Sequence, residues 1–175
     1  MLFNASAQFQ LARELRAPEG AALGELFSFV SGLYFRGKLA YARAFGHAPV
    51  DQPAAYVISA GGGLIAPEER ISLERLQGWA KVSVHHDNPH FTAPLIRHAS
   101  ALLERSLPGT RFVLLGSVAS DKYVQPLRDV FGPGLLFPEQ FAGLGDMSRG
   151  ALLLRAVRGG DELAYAPVGA GRKAP

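Results

Sequence analysis

The chain contains no cysteine, so it can build neither a disulfide framework, nor a thiolate metal centre, nor a cysteine nucleophile. A reducing, cytoplasmic setting fits that absence. Long hydrophobic runs are missing too. Apolar residues make up 48% of the 175 positions, yet charge, glycine or proline interrupts them every few residues, and no stretch approaches the ~20 apolar residues that a membrane helix needs. The opening Met1-Leu2-Phe3-Asn4-Ala5-Ser6 lacks the basic segment and continuous apolar core of a signal peptide. The expectation is a soluble, intracellular protein with no membrane partner.

An excess of one charge is also lacking. Lysine and arginine number 18 against 15 aspartate and glutamate, a net charge of +3. Basic surface concentrates anions, so contact with nucleic acid is permitted. The cations are nevertheless scattered: the densest sets, Arg36 with Lys38 and Arg155 with Arg158, are separated by other residues, the pattern of a solvated face rather than a polyanion-binding stripe. Recognised nucleophile and phosphate motifs are absent as well. Ser59, Ser117 and Ser148 lie in no Gly-x-Ser-x-Gly elbow, there is no Walker motif, and Gly61-Gly62-Gly63 lacks dinucleotide-binding spacing. Nothing here implies a cofactor.

What is present is an alternation of helical and strand patterns. Near-helical apolar spacing predicts a first helix over residues 8–16, stopped before Pro18, and two further helical stretches over 21–31 and 34–45, hinged near Gly32. Residues 55–59 read as a buried strand ending at Gly61-Gly62-Gly63, and 81–84 as a short one after a helix over 72–79 begun by Ser72. Thr92 caps a predicted helix through 107; 111–117 is the second strong strand, leading into a helix over 121–130. A strand at 134–137 and a helical turn at 138–141 follow. Residues 151–157 and 162–168 flank Arg158-Gly159-Gly160-Asp161 as the arms of a β-hairpin, the alternative for the first arm being a helix capped by Ser148 and ended by Gly159. The expected fold is therefore α/β: a three-layer αβα sandwich with a mainly parallel sheet and a C-terminal β-hairpin. One domain spans 1–175, with a helical N-terminal part over 1–46 and a sheet-bearing core over 54–168.

Such a fold places ligands beyond the carboxyl ends of the strands. Three loops qualify. The stretch from Gly143 to Gly150 sets Asp146, Ser148 and Arg149 among glycines: Asp146 can hydrogen-bond a base edge or act as general acid and base, and Arg149 offers a planar fork to a carboxylate or phosphate. The Ser59 loop, with Gly62 and Gly63, can expose backbone amides. The loop after the second strand carries Ser117, Ser120 and Lys122 at a helix start, where phosphate is favoured. His85-His86-Asp87-Asn88-Pro89-His90 is a fourth feature. Its spacing matches no standard metal site, so no metal ligand is assigned, and His86 is the candidate catalytic base in an exposed loop.

Leu33-Tyr34-Phe35-Arg36-Gly37-Lys38-Leu39-Ala40-Tyr41-Ala42, followed by Tyr56-Val57-Ile58-Ser59-Ala60-Gly61-Gly62-Gly63-Leu64-Ile65 and Pro67, resembles a bacterial and phage α/β domain of the peroxide-stress and deazaguanine-associated type. That family pairs a Leu-Tyr helix start with a strand ending Ser-Ala-x-x-Gly-Leu. The likeness covers 33–71, with an echo at 112–123; the family usually opens on a strand, whereas this chain opens with helices. The resemblance implies a link to nucleobases, nucleotides or nucleic-acid modification, and makes Tyr34, Arg36, Ser59, Gly62 and Gly63 candidates by position. Val113-Leu114-Leu115-Gly116-Ser117-Val118-Ala119 is similar to the strand and helix start of uracil-DNA glycosylase-like folds, without the glycosylase catalytic motifs. Two readings stand: a domain that binds or acts on a nucleobase, nucleotide or related anionic small molecule, and a non-catalytic protein-interaction module of a larger intracellular system. Catalysis and oligomeric state are left open.

Overall fold

The computed structural model describes residues 2–118 and 121–169. Helix α1 (Gln10–Arg16) buries Ala12 and Leu15 and stops where Ala17, which precedes Pro18, turns extended at φ −69° and ψ 155°. Strand β1 (Ala21–Ala22) then leads directly into α2 (Leu23–Phe45). Gly32 breaks α2 at φ 61° and ψ −139°, a backbone that an L side chain rarely adopts, so the predicted hinge is real. Strands β2 (Val57–Ser59) and β3 (Gly63–Ile65) pair antiparallel through the glycine turn, and β4 (Arg70–Ile71) pairs antiparallel with β1.

Ser72 begins α3 (Leu73–Ala80), its hydroxyl accepting the Arg75 N–H at 3.2 Å. The next helix, α4 (Pro89–Arg105), starts earlier than Thr92: Asn88 caps it and Pro89, with its preset φ, occupies the first turn. Strand β5 (Phe112–Val113), α5 (Asp121–Phe131), β6 (Leu135–Pro138), α6 (Asp146–Gly159) and β7 (Tyr165–Pro167) complete the chain. In the one three-stranded sheet, β6 is central, parallel to β5 and antiparallel to β7.

This architecture overturns the expected three-layer αβα sandwich. About half of the chain is helical, the described strands are two to four residues long, and they form three separate small sheets with a single parallel pairing. Two local choices account for the difference. Residues 151–157 are rich in alanine and leucine, strong helix formers, and join α6, which ends where Gly160 adopts φ 74° and returns its N–H to the carbonyls of Ala156 and Val157. No C-terminal hairpin forms; β7 pairs with β6 instead. The glycine triplet reverses the chain into β3 rather than leading out toward a helix. Residues 81–84 form no strand.

Three apolar clusters carry the packing. One joins α1, α2 and the small sheets around Leu15, Leu26, Val57, Ile71 and Trp79. Another gathers α4, α5 and β6 around Phe91, Leu95, Leu127 and Leu135. The third links α2 to α6 through Tyr41, Phe141, Leu153 and Ala156. The two helices cross on glycine: a Cβ on Gly37 would lie 2.8 Å from the Gly150 carbonyl oxygen, and one on Gly150 would lie 2.9 Å from the Tyr34 Cα. The backbones touch there, and this contact brings the polar face of α2 to the start of α6. No described helix is long and apolar enough to cross a membrane.

Candidate functional site

Helix α6 begins at Gly145, which has no side chain with which to cap the helix; its carbonyl accepts the Arg149 N–H at 3.0 Å. Arg149 is only 8% exposed. Its Nε donates to the Phe141 carbonyl at 3.4 Å, and its Nη1 lies 3.5 Å from Oδ1 of Asp146, whose side chain is 68% exposed. A buried guanidinium thus has a loose, solvent-facing carboxylate as an ionic partner.

Across the glycine crossing, α2 supplies Tyr34 and Lys38, four residues apart and so on one face. The Tyr34 hydroxyl donates to the Leu115 carbonyl at 3.3 Å and is hydrogen-bonded by Arg149. The Lys38 ammonium sits 3.8 Å from the centre of the Tyr34 ring. From α5, Tyr123 closes the group, its hydroxyl bonded by the Ser117 backbone. The Tyr123 ring end packs over Gly116, where a Cβ would meet its hydroxyl at 2.8 Å and displace it.

Burial sets the electrostatics of this cluster. It lowers the Lys38 pKa to about 8, with Arg149 acting in the same sense and Asp146 opposing. Burial likewise raises Tyr34, against the hydrogen bond and charge of Arg149, and raises Tyr123, against the Ser117 backbone and Arg149. Both phenols therefore stay neutral donors. Arg149 and Lys38 both feel the Asp146 carboxylate, and the start of α6 adds the partial positive charge of a helix N-terminus.

Two of the three expected loops meet here. Tyr34, Ser117, Asp146 and Arg149 come together at the carboxyl end of β5. Lys122 is exposed on the first turn of α5, Ser148 is exposed on the first turn of α6, and Arg36 faces solvent on α2. Ser120 lies outside the described residues. The Ser59 loop has a different job. Ser59 is fully buried, its hydroxyl donating to the Gly63 carbonyl at 3.1 Å and accepting the Gly62 N–H at 3.0 Å, which ties the β2–β3 turn. A Cβ on Gly62 would strike the Trp79 ring at 2.4 Å, and Gly63, at φ 73°, is pressed against the Pro94 carbonyl of α4. These glycines serve packing. His86 pairs with Asp87 at 3.2 Å and stacks on His85 in the loop before α4.

Lys38 and Tyr123 belong to the cluster although neither is singled out by sequence. The available signal was the four-residue interval from Tyr34 to Lys38 within one predicted helix; Tyr123 had none, because only the turn after β5 brings it back over Gly116. No protein-family model, curated protein or solved structure matches the chain.

Proposed function

We propose that this protein binds a nucleotide or a related anionic small molecule at the carboxyl end of β5. The observation that carries the reading is a buried Arg149, paired at 3.5 Å with the exposed Asp146 carboxylate, and a desolvated Lys38 that feels the charge of both, at the start of α6. An anion placed between the cations replaces the solvation that burial removes from them. Tyr34 and Tyr123 offer flat surfaces for a base, Tyr123 keeps a hydroxyl hydrogen to donate, and Asp146 can accept from the base's amino edge.

The test compares inorganic phosphate, nucleoside monophosphates and unphosphorylated nucleosides by thermal shift and titration calorimetry. A ligand at a hundred times its Kd stabilises by about 2.7 kcal/mol. Phosphorylated ligands are expected to bind, with Lys38→Gln weakening them and Lys38→Arg restoring them. Arg149 is a poor first probe, since it is 8% exposed and holds the Phe141 carbonyl. Absence of binding by every phosphorylated ligand, or equal affinity in Lys38→Gln, overturns the reading.

One observation favours the interaction-module reading. Phe9 and Phe29 stack at 5.1 Å while 37% and 45% exposed, beside Val30 at 70%. If that patch docks a partner, Phe29→Ser abolishes association with a purified partner chain and leaves the phosphate response intact.

A further inference from the structure

The chain between α3 and α4 folds three chemically active side chains onto one another. The Nε2 atom of His86 lies 3.2 Å from Oδ1 of Asp87, and Nδ1 of His85 lies 3.6 Å from Oδ2 of the same carboxylate. One ligand atom from each residue falls within 4.8 Å of the other two. The turn that does this is tied at both ends. Asn88 donates through Nδ2 to the Ser83 carbonyl at 2.7 Å and through its backbone N–H to the His85 carbonyl at 3.0 Å, while its Oδ1 accepts the His90 N–H at 3.1 Å to start α4.

We infer that His85, His86 and Asp87 form a surface site for a divalent transition-metal ion of the zinc, nickel or cobalt class. Zinc held tetrahedrally by nitrogen and oxygen at ~2.0–2.1 Å sets neighbouring ligand atoms ~3.3 Å apart. The histidine–aspartate separations, 3.2 Å to Oδ1 and 3.6 Å to Oδ2, lie near that spacing, and one ligand atom from each residue, all within 4.8 Å, reaches it by small rotations of exposed side chains. The side chains are 52%, 35% and 77% exposed, so they adjust without disturbing the core. An imidazolium–carboxylate pair would give the same single contact. Such a pair does not require the second imidazole, which stacks at 4.4 Å on the first, with its Nδ1 accepting the Asp87 N–H at 3.3 Å and lying 3.6 Å from the same carboxylate. Neutral imidazoles beside a carboxylate are the ligand set that zinc and its neighbours prefer and that magnesium does not. Three protein ligands leave coordination positions for water or an incoming group. This site is independent of the anion-binding cluster.

The experiment uses the untagged full chain, titrated with zinc by calorimetry and with cobalt by visible absorption, and magnesium as the unmatched ion. One equivalent of zinc or cobalt is expected to bind saturably. His86→Ala and Asp87→Ala should each weaken it by at least about tenfold, with unchanged melting temperature in the metal-free protein, whereas His90→Ala should leave it intact. Lack of saturable binding, an equal loss in His90→Ala, or binding that survives the His86→Ala/Asp87→Ala double variant overturns the assignment.

Discussion

Replacing Gly150 by alanine sets two effects of opposite sign against each other. Removing a glycine from a helix interior is worth about 1 kcal/mol in favour of the variant. The new methyl, however, would lie 2.9 Å from the Tyr34 Cα and 3.2 Å from both the Tyr34 nitrogen and the Leu33 oxygen. All three are backbone atoms, so no rotamer change relieves the clash, and α2 must move away from α6. Overpacking of this kind costs about 1–3 kcal/mol, and at a backbone-to-backbone contact the upper part of that range applies. The expected net effect is a loss of about 1–2 kcal/mol, or a melting temperature lower by roughly 2–8 °C for a domain of this size. Gly78 supplies the control, because it sits inside α3 and a Cβ there meets nothing within 4 Å. Gly78→Ala should raise stability by up to about 1 kcal/mol. Urea unfolding of both variants, with the slope checked for constancy, makes the comparison. If Gly150→Ala is as stable as the parent, the close crossing is not what that glycine is for. The crossing also sets Tyr34 and Lys38 against Arg149, so Gly150→Ala should weaken phosphate binding; lost stability with unchanged affinity would refute that link.

Lys38 carries a pH signature. Its folded pKa, about 8, lies below the ordinary 10.5, so the unfolded chain holds the extra proton between those values and stability rises with pH across that window. Below about pH 8 the burial penalty is complete, and Lys38→Met should be more stable than the parent there, with the difference vanishing toward pH 10.5 in paired denaturation curves. Anion affinity of the parent should fall as pH rises through 8, a fall that Lys38→Arg abolishes in calorimetric titrations. Tyr41→Phe removes a hydroxyl that accepts the Leu163 N–H at 2.8 Å and shares a 2.6 Å hydrogen bond with Tyr165; urea unfolding should show a loss of about 1–3 kcal/mol. Ser59→Ala leaves the Gly62 N–H and Gly63 carbonyl without their partner and should cost about 1–3 kcal/mol while leaving phosphate affinity unchanged. A change in affinity at full stability would return Ser59 to the binding site.

Features set by neighbours in sequence were legible from the sequence. Pro18 ends α1, Gly32 hinges α2 and Ser72 caps α3, each through contacts within a few residues. Asn88 was passed over in favour of Thr92, because both are capable caps and only the hydrogen bond from the His90 N–H selects between them; the Thr92 hydroxyl instead bonds back to the Asn88 carbonyl. For residues 151–157 the strand reading fails and the helix alternative holds, though Gly145 rather than Ser148 precedes the helix, because a short apolar run satisfies a buried strand and a helix face equally well. Half of the candidate site is legible in the same way: Asp146 and Arg149 are three residues apart, and one turn of helix suffices to join them.

By itself the sequence determined the absence of thiol chemistry and the absence of any apolar stretch long enough for a membrane helix. It also determined the places where the backbone must turn and the grouping of Asp146, Ser148 and Arg149 among glycines in the segment 143–150. Tertiary structure decided which of the glycine-rich loops gathers polar side chains from other elements and which is a packed brace. That choice rests on contacts far apart along the chain: Gly37 on Gly150, Tyr34 on Leu115 and Arg149, and Trp79 over Gly62. Glycine lets a backbone approach closely but does not say what approaches it, so the same residue type admits a helix at Gly150 and a tryptophan ring at Gly62. The partner, not the glycine, makes the function.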